Sequence, residues 1–210
     1  MPLTAFAHPL GNASIDQRLE LKVAEQMATL RYVVAMAEIP SIQALTELDP
    51  DSDGRVTDTE RADYLTRIAP RYVGGLELRI DGEPARFEIR ARALELTEER
   101  RILPLLQIEL ELTAALPEDD ATHLLELANR NHEGRTCWCE IVVAATPGTS
   151  VFDSSAFGDG LSAEYEAASK GELRIAPPDE RMARLSFRRG SVPANARPLA
   201  ARNGQPLLSP

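Results

Sequence analysis

Apolar and polar residues alternate along most of this chain, and the alternation predicts strands. Leu19-Glu-Leu-Lys-Val23 has a period of two, and Ala28 to Met36 is a longer run rich in Val, Leu and Tyr. The few polar residues between them predict a hairpin. Leu76-Glu-Leu-Arg-Ile80 repeats the pattern, and Asp81-Gly82 is a turn signal before a strand over Ala85 to Ile89. Leu106 to Leu112 is the clearest case, with Ile108, Leu110 and Leu112 on one face. His123 to Leu127, Cys139 to Ala145, Glu172 to Ile175 and Arg184 to Phe187 are further strands. Short strands at such regular spacing predict a mainly β fold, an antiparallel β-sandwich, with a mixed α+β domain as the alternative.

Helical periodicity interrupts the strands once. After Pro40, Ser41 to Leu48 places Ile42, Leu45 and Leu48 at three-residue spacing, a short amphipathic helix. Asp58 to Tyr72 carries Tyr64, Leu65, Ile68 and Tyr72 at helical spacing before Gly74-Gly75 ends it. Residues 41–73 therefore read as a helix–loop–helix inserted between two strands.

The loop carries the chemistry. A twelve-residue EF-hand loop needs oxygen ligands at positions 1, 3, 5, 7, 9 and 12 and a glycine at 6. Asp49, Asp51 and Asp53 fill the first three places, and Gly54 sits at the turn. Arg55 would offer its backbone carbonyl at position 7, Thr57 falls at position 9, and Glu60 closes the loop at 12. Val56 at position 8 supplies the apolar residue that normally faces a neighbouring strand. Calcium is a hard cation that takes six to eight oxygens, so Ca²⁺ suits this donor set better than a transition metal. The competing reading is an acidic, solvated turn between two helices. A lone EF-hand is expected to staple a larger domain, with the affinity of extracellular modules, about 0.1–1 mM.

Charge and composition narrow the partners. The 210 residues carry a formal net charge of −10, and residues 47–63 supply −5 of it. That balance argues against nucleic acid. No apolar run approaches the roughly 18 residues of a membrane helix, so no transmembrane segment is expected. Residues 8–189 read as one β-rich domain, and 190–210, with Pro193, Pro198 and Pro206, as a flexible tail. From 181 onward there are six arginines and no acidic residue. Ala5-Phe6-Ala7 before His8 has the form of a signal-peptidase site, so residues 1–7 read as the remnant of a leader, with a chance match as the alternative. No catalytic motif stands out, and an enzyme is not expected: Asp153, Ser154, Ser155 and Asp159 offer polar groups without a nucleophile elbow or a His-Glu-x-x-His. Cys137 and Cys139 flank Trp138 and read as small core residues, with a soft-metal site, a redox role or a tight disulfide as alternatives.

The run His8-Pro-Leu-Gly-Asn12, then Ala35-Met-Ala-Glu-Ile-Pro40, then the Asp-rich loop, resembles the extracytoplasmic N-terminal domain of bacterial nickel/cobalt transporter homologues. Asn129 to Arg135 and Trp138 to Val143 are similar to the stretch preceding that family's membrane portion. The resemblance implies an extracytoplasmic domain, with the tail as the linker towards a membrane part that this sequence lacks. It implies an accessory role beside a membrane protein and does not carry transport over. His8, as a mature N-terminus, would pair its amine and imidazole on Ni²⁺ or Cu²⁺, which makes a transition-metal domain using His8, His123, His132 or the cysteines the alternative function.

Overall fold

The computed structural model describes residues 10–97, 105–135, 137–170 and 176–207. In chain order the elements begin with β1 (Ile15–Val23), β2 (Met27–Met36), α1 (Glu38–Leu48), α2 (Asp58–Gly74), β3 (Leu76–Ile80) and β4 (Glu83–Ala85). They continue with β5 (Glu88–Thr97), β6 (Leu105–Ala115), β7 (His123–Asn129), β8 (Cys139–Ala145), β9 (Thr149–Phe152), α3 (Ser162–Ser169) and β10 (Met182–Arg189).

Two five-stranded sheets form a β-sandwich, one in the order β5-β6-β2-β1-β8 and the other β4-β3-β7-β10-β9. Every pairing within them is antiparallel except β1 with β8. The period-two pattern places Leu19, Leu30, Ile108 and Leu110 of the first sheet inside, in one apolar cluster with Leu125, Leu127, Leu185 and Phe187 of the second. On the outer face Arg31 forks onto Glu109 at 2.7 and 2.6 Å. A polar cluster interrupts the core. Tyr32 is fully buried, and its hydroxyl donates to Gln17 Oε1 at 2.5 Å, which also accepts from Asn129 Nδ2 at 2.9 Å. A buried polar cluster of this kind favours one register between the sheets, because a slip would leave its members unpaired.

The helix pair joins β2 of the first sheet to β3 of the second. Pro40 sits in the first turn of α1, where its missing N–H removes no helical bond. Ser41 Oγ donates to Met36 O at 3.0 Å and accepts from Leu106 N at 2.9 Å, tying α1 to β2 and β6. Leu48 is fully buried. Tyr64, Leu65, Ala69 and Tyr72 of α2 are buried in the same cluster, and Tyr72 stacks edge-on against Tyr32.

Several expectations need correction. Ile42 is 41% exposed, because Pro40, Ser41 and Leu48 form the buried side of α1. The single strand expected over Ala85 to Ile89 is two strands, β4 and the start of β5. β5 is an edge strand with largely exposed side chains, and most of it lies beyond the expected strand. β9 and α3 were not anticipated, and Glu172 to Ile175 lies outside the described residues. The tail is not free over residues 190–207. Phe152 bridges to Pro198, Ala200 bridges to Pro206, and Leu199 and Ala201 are buried. Arg202 grips Glu180 with two bonds of 2.6 and 2.8 Å, lies 3.4 Å from the buried Glu140, and covers the Phe157 ring at 4.8 Å. Proline-rich chain without periodicity is docked here by an arginine fork and a few apolar contacts, neither of which has a local signature. No helix among the described residues is long and apolar enough to cross a membrane.

Candidate calcium site

The acidic loop begins where α1 is already fixed. Leu48 anchors the last turn, and Asp49 N donates to Leu45 O at 2.8 Å, so Asp49 leaves the helix with its backbone set. The loop then curls around its own carboxylates. Asp49 Oδ2 accepts from Gly54 N at 3.0 Å, Asp51 Oδ1 from Asp53 N at 3.3 Å, and Asp53 Oδ1 from Arg55 N at 2.7 Å. Ser52 and Gly54 have φ of 57° and 78°, and the turn at Gly54 is what allows its amide to point back at Asp49. Thr57 then caps α2 and Val56 packs half-buried against the core.

Asp49, Asp51 and Asp53 each present a carboxylate oxygen, and these oxygens lie within 4.8 Å of one another. Among the described residues this is the group of His, Cys, Asp and Glu side chains whose ligand atoms converge in this way. Asp49 Oδ1 is shielded from water and receives no donor from the protein. The Asp51 carboxyl is held above its ordinary range, first because a proton there is shared with the Asp49 carboxylate. The Asp53 amide opposes this, and the charges of Asp53 and Glu60 add to it. These are the marks of crowded negative charge that a bound cation relieves.

Glu60 is placed differently from the three aspartates. Its Oε2 accepts from Thr57 N and Thr57 Oγ1, both at 2.8 Å, while Thr57 Oγ1 accepts from Glu60 N at 3.3 Å. This is a reciprocal capping box at the start of α2. Thr57 and Glu60 thus have a helix-capping role that the loop spacing alone does not disclose. Arg55 is exposed and its amide is committed to Asp53. The whole donor set is oxygen, which fits a hard cation such as Ca²⁺.

The other nominated residues do not converge. His8 lies outside the described residues. His123 bridges Asp81 (2.7 Å) and Asp119 (2.9 Å) through its two ring nitrogens. His132 packs against Tyr72, and burial lowers its pKa, with Arg135 and Arg181 adding to that effect. Cys137 and Cys139 are buried free thiols. Asp153, Ser155 and Asp159 accept from the backbone amides of Arg197, Arg184 and Arg202, and Ser154 closes a turn on Ala156. These four hold chain segments together. No family model matches the chain, and no curated protein matches it either.

Proposed function

We propose that this is a calcium-binding β-rich domain in which Ca²⁺ acts as a structural clamp on the helix–loop–helix. The observation that carries the reading is the convergence of three aspartate oxygens at the expected loop positions, one of them, Asp49 Oδ1, shielded and without a donor. The ion would be held by Asp49, Asp51 and Asp53, by the Arg55 carbonyl, by Thr57 directly or through water, and by Glu60 as the closing carboxylate. Binding to the folded state alone would stabilise it by about 1.4 kcal/mol at tenfold saturation. An accessory role beside a membrane protein, outside the cytoplasm, rests on the sequence resemblance alone and is part of the same proposal.

Isothermal titration of Ca²⁺ into chelator-treated protein, with Mg²⁺ and Ni²⁺ in parallel, tests the reading. One calcium site is expected, with an affinity of about 0.1–1 mM. Glu60→Gln should abolish it while keeping the capping acceptor, and Asp49→Ala should abolish it as well. Heat-neutral calcium titrations with no gain in melting temperature would remove the proposal.

A further inference from the structure

A cavity of about 380 Å³ opens at the end of the first sheet, where the chain crosses from β4 to β5. That volume lies at the small end of ligand pockets, which run from about 300 to 1,000 Å³. Its lining combines apolar Met27, Ala85, Ala114 and Ala115 with charged Arg86, Glu88 and Arg90. Arg90 is the extra residue of a β-bulge: Ile89 pairs with Leu112 and Ala91 with Glu111, so nothing on β6 stands opposite it. A bulge of this kind re-aims a side chain out of the regular ladder. Arg90 Nε donates to Thr113 Oγ1 at 2.8 Å, and Nη2 lies 2.8 Å from a Glu88 carboxylate oxygen. The guanidinium is thereby oriented, with Nη1 left without a partner among the described residues. Thr113 lines the same cavity and is 7% exposed. Its hydroxyl accepts from Arg90 and finds no acceptor for its own proton among the described residues. Arg86 is exposed and makes no hydrogen bond or ion pair among those residues.

We propose that this cavity binds a small organic monoanion, a carboxylate on a compact apolar body, with Arg90 anchoring the carboxylate and Thr113 donating to it. A planar guanidinium matches carboxylate geometry, and one already held in place loses less freedom on binding. Two arginines against one glutamate leave a single positive charge at the cavity, in a chain whose formal net charge is −10. One carboxylate cancels that charge, whereas a dianion such as phosphate overshoots it and a cation is repelled. The alanine methyls and Met27 make no hydrogen-bonding demand on the rest of the ligand. Met27 is 41% exposed, so a tail laid over it takes apolar surface out of water, and its flexible thioether adapts to the shape of that tail. The site uses no residue of the calcium loop, and its failure would leave the calcium reading untouched.

The test is a titration of the ¹⁵N-labelled full chain with benzoate and with hexanoate, at an ionic strength fixed with chloride and followed by amide chemical shifts. Saturable binding with a Kd of about 1 mM is expected, with the shifts gathered at residues 85–90 and 113–115. Arg90→Gln should weaken binding about tenfold, Arg90→Lys should recover part of the loss, and Arg86→Gln should weaken it about threefold. Ala115→Leu fills the cavity from an exposed position with every charge intact, and it should block the ligand. Hexanol and inorganic phosphate should each bind about tenfold more weakly than the carboxylates. The wild-type shift map does not depend on any variant folding, and shifts that are absent, or scattered away from the cavity, would overturn the site. Affinity unchanged by Arg90→Gln or by Ala115→Leu would do the same, and phosphate binding as tightly as benzoate would refute the ligand class.

Discussion

Adjacent glycines at the end of α2 are expected to respond to alanine in opposite senses. Neither has a positive φ, so the difference comes from space alone. A Cβ on Gly74 would meet nothing within 4 Å. On Gly75 it would overlap the Asn131 carboxamide, 2.5 Å from Cγ and 2.7 Å from Nδ2. Asn131 has little freedom to retreat. Its backbone oxygen accepts from Gln17 Nε2 at 3.2 Å and Arg181 Nη1 at 2.8 Å, and its amide donates to Asn129 Oδ1 at 3.0 Å. Only the side chain can swing, which breaks its bond to Tyr72 O at 2.8 Å. That bond contributes about 0.5–1.5 kcal/mol, and overpacking costs about 1–3 kcal/mol. The stiffer unfolded chain offsets about 0.4–1 kcal/mol. Gly75→Ala should therefore lose about 1–3 kcal/mol, roughly 3–10 °C in Tm for a chain of this length. Gly74→Ala should gain about 0.4–1 kcal/mol. Urea unfolding with unchanged m-values is the assay, and the double variant Gly75→Ala/Asn131→Ala supplies the cycle. If removing the Asn131 amide fails to recover part of the Gly75→Ala loss, the steric account is refuted.

Other perturbations follow from the same contacts. Burial alone would lower the His123 pKa, but hydrogen bonds and charge from Asp81 and Asp119 outweigh it and raise the value. Both aspartates are lowered, chiefly by the amides of Leu124 and Ala121 and then by His123. The His123 contribution is thus full below about pH 6.5 and lost as pH rises through the raised value. The aspartate contributions are full above about pH 4 and lost as pH falls through the lowered values. The contribution of this cluster should peak between these limits, so His123→Gln should lower stability most there and lose that effect as pH rises; an unchanged difference between variant and wild type in chemical denaturation across pH would contradict this. Arg202→Ala leaves Glu140 buried beside Glu180 without its fork and should cost about 2–4 kcal/mol. Hydrogen exchange over residues 196–207 should accelerate with it, and unaltered protection there would count against the docking. Leu48→Ala empties a fully buried site beside Asp49 and should cost about 2–5 kcal/mol, with weaker calcium binding in titration as the linked readout.

The sandwich was legible because its central strands bury one face. In β1, β2 and β6 the buried positions run at every second residue, and the sequence shows the same alternation. β5 alternates too, Ile89, Ala91 and Ala93 against Glu88, Arg90 and Arg92, but its apolar positions are mostly alanine and the phase shifts at Leu94, so the signal is weak and only Leu94 is buried. β9 was missed for the opposite reason: all four of its residues are buried, so nothing alternates. The three aspartates and Gly54 could be read from spacing, since ligand positions in a short loop are local. The capping role of Glu60 is equally local, because Thr57 and Glu60 have capping-box spacing, yet the ligand pattern masked it. Arg181 and Arg202 could not be read. Each finds its partners dozens of residues away, Cys137 in one case and Glu140 in the other, and only the sheet order brings them together.

For the proposed calcium site, the anchoring of both helices favours a clamp over a switch. A calcium switch needs a helix pair with two arrangements of similar free energy, one of which the ion selects. Here α1 is tied by Ser41 to two strands and ends on the fully buried Leu48. α2 is held by four buried side chains, by Tyr72 against Tyr32, and by the Asn131 bond to its last turn. Swinging either helix outward would expose several of these groups at about 1.5–3 kcal/mol each, more than an ion of millimolar affinity supplies. On the proposed reading the binding energy would therefore go into the loop itself, where it would offset repulsion among Asp49, Asp51 and Asp53. Calcium should narrow the motion of residues 49–60 and slow the opening of the domain while leaving the sandwich, and the polar cluster around Gln17, unchanged.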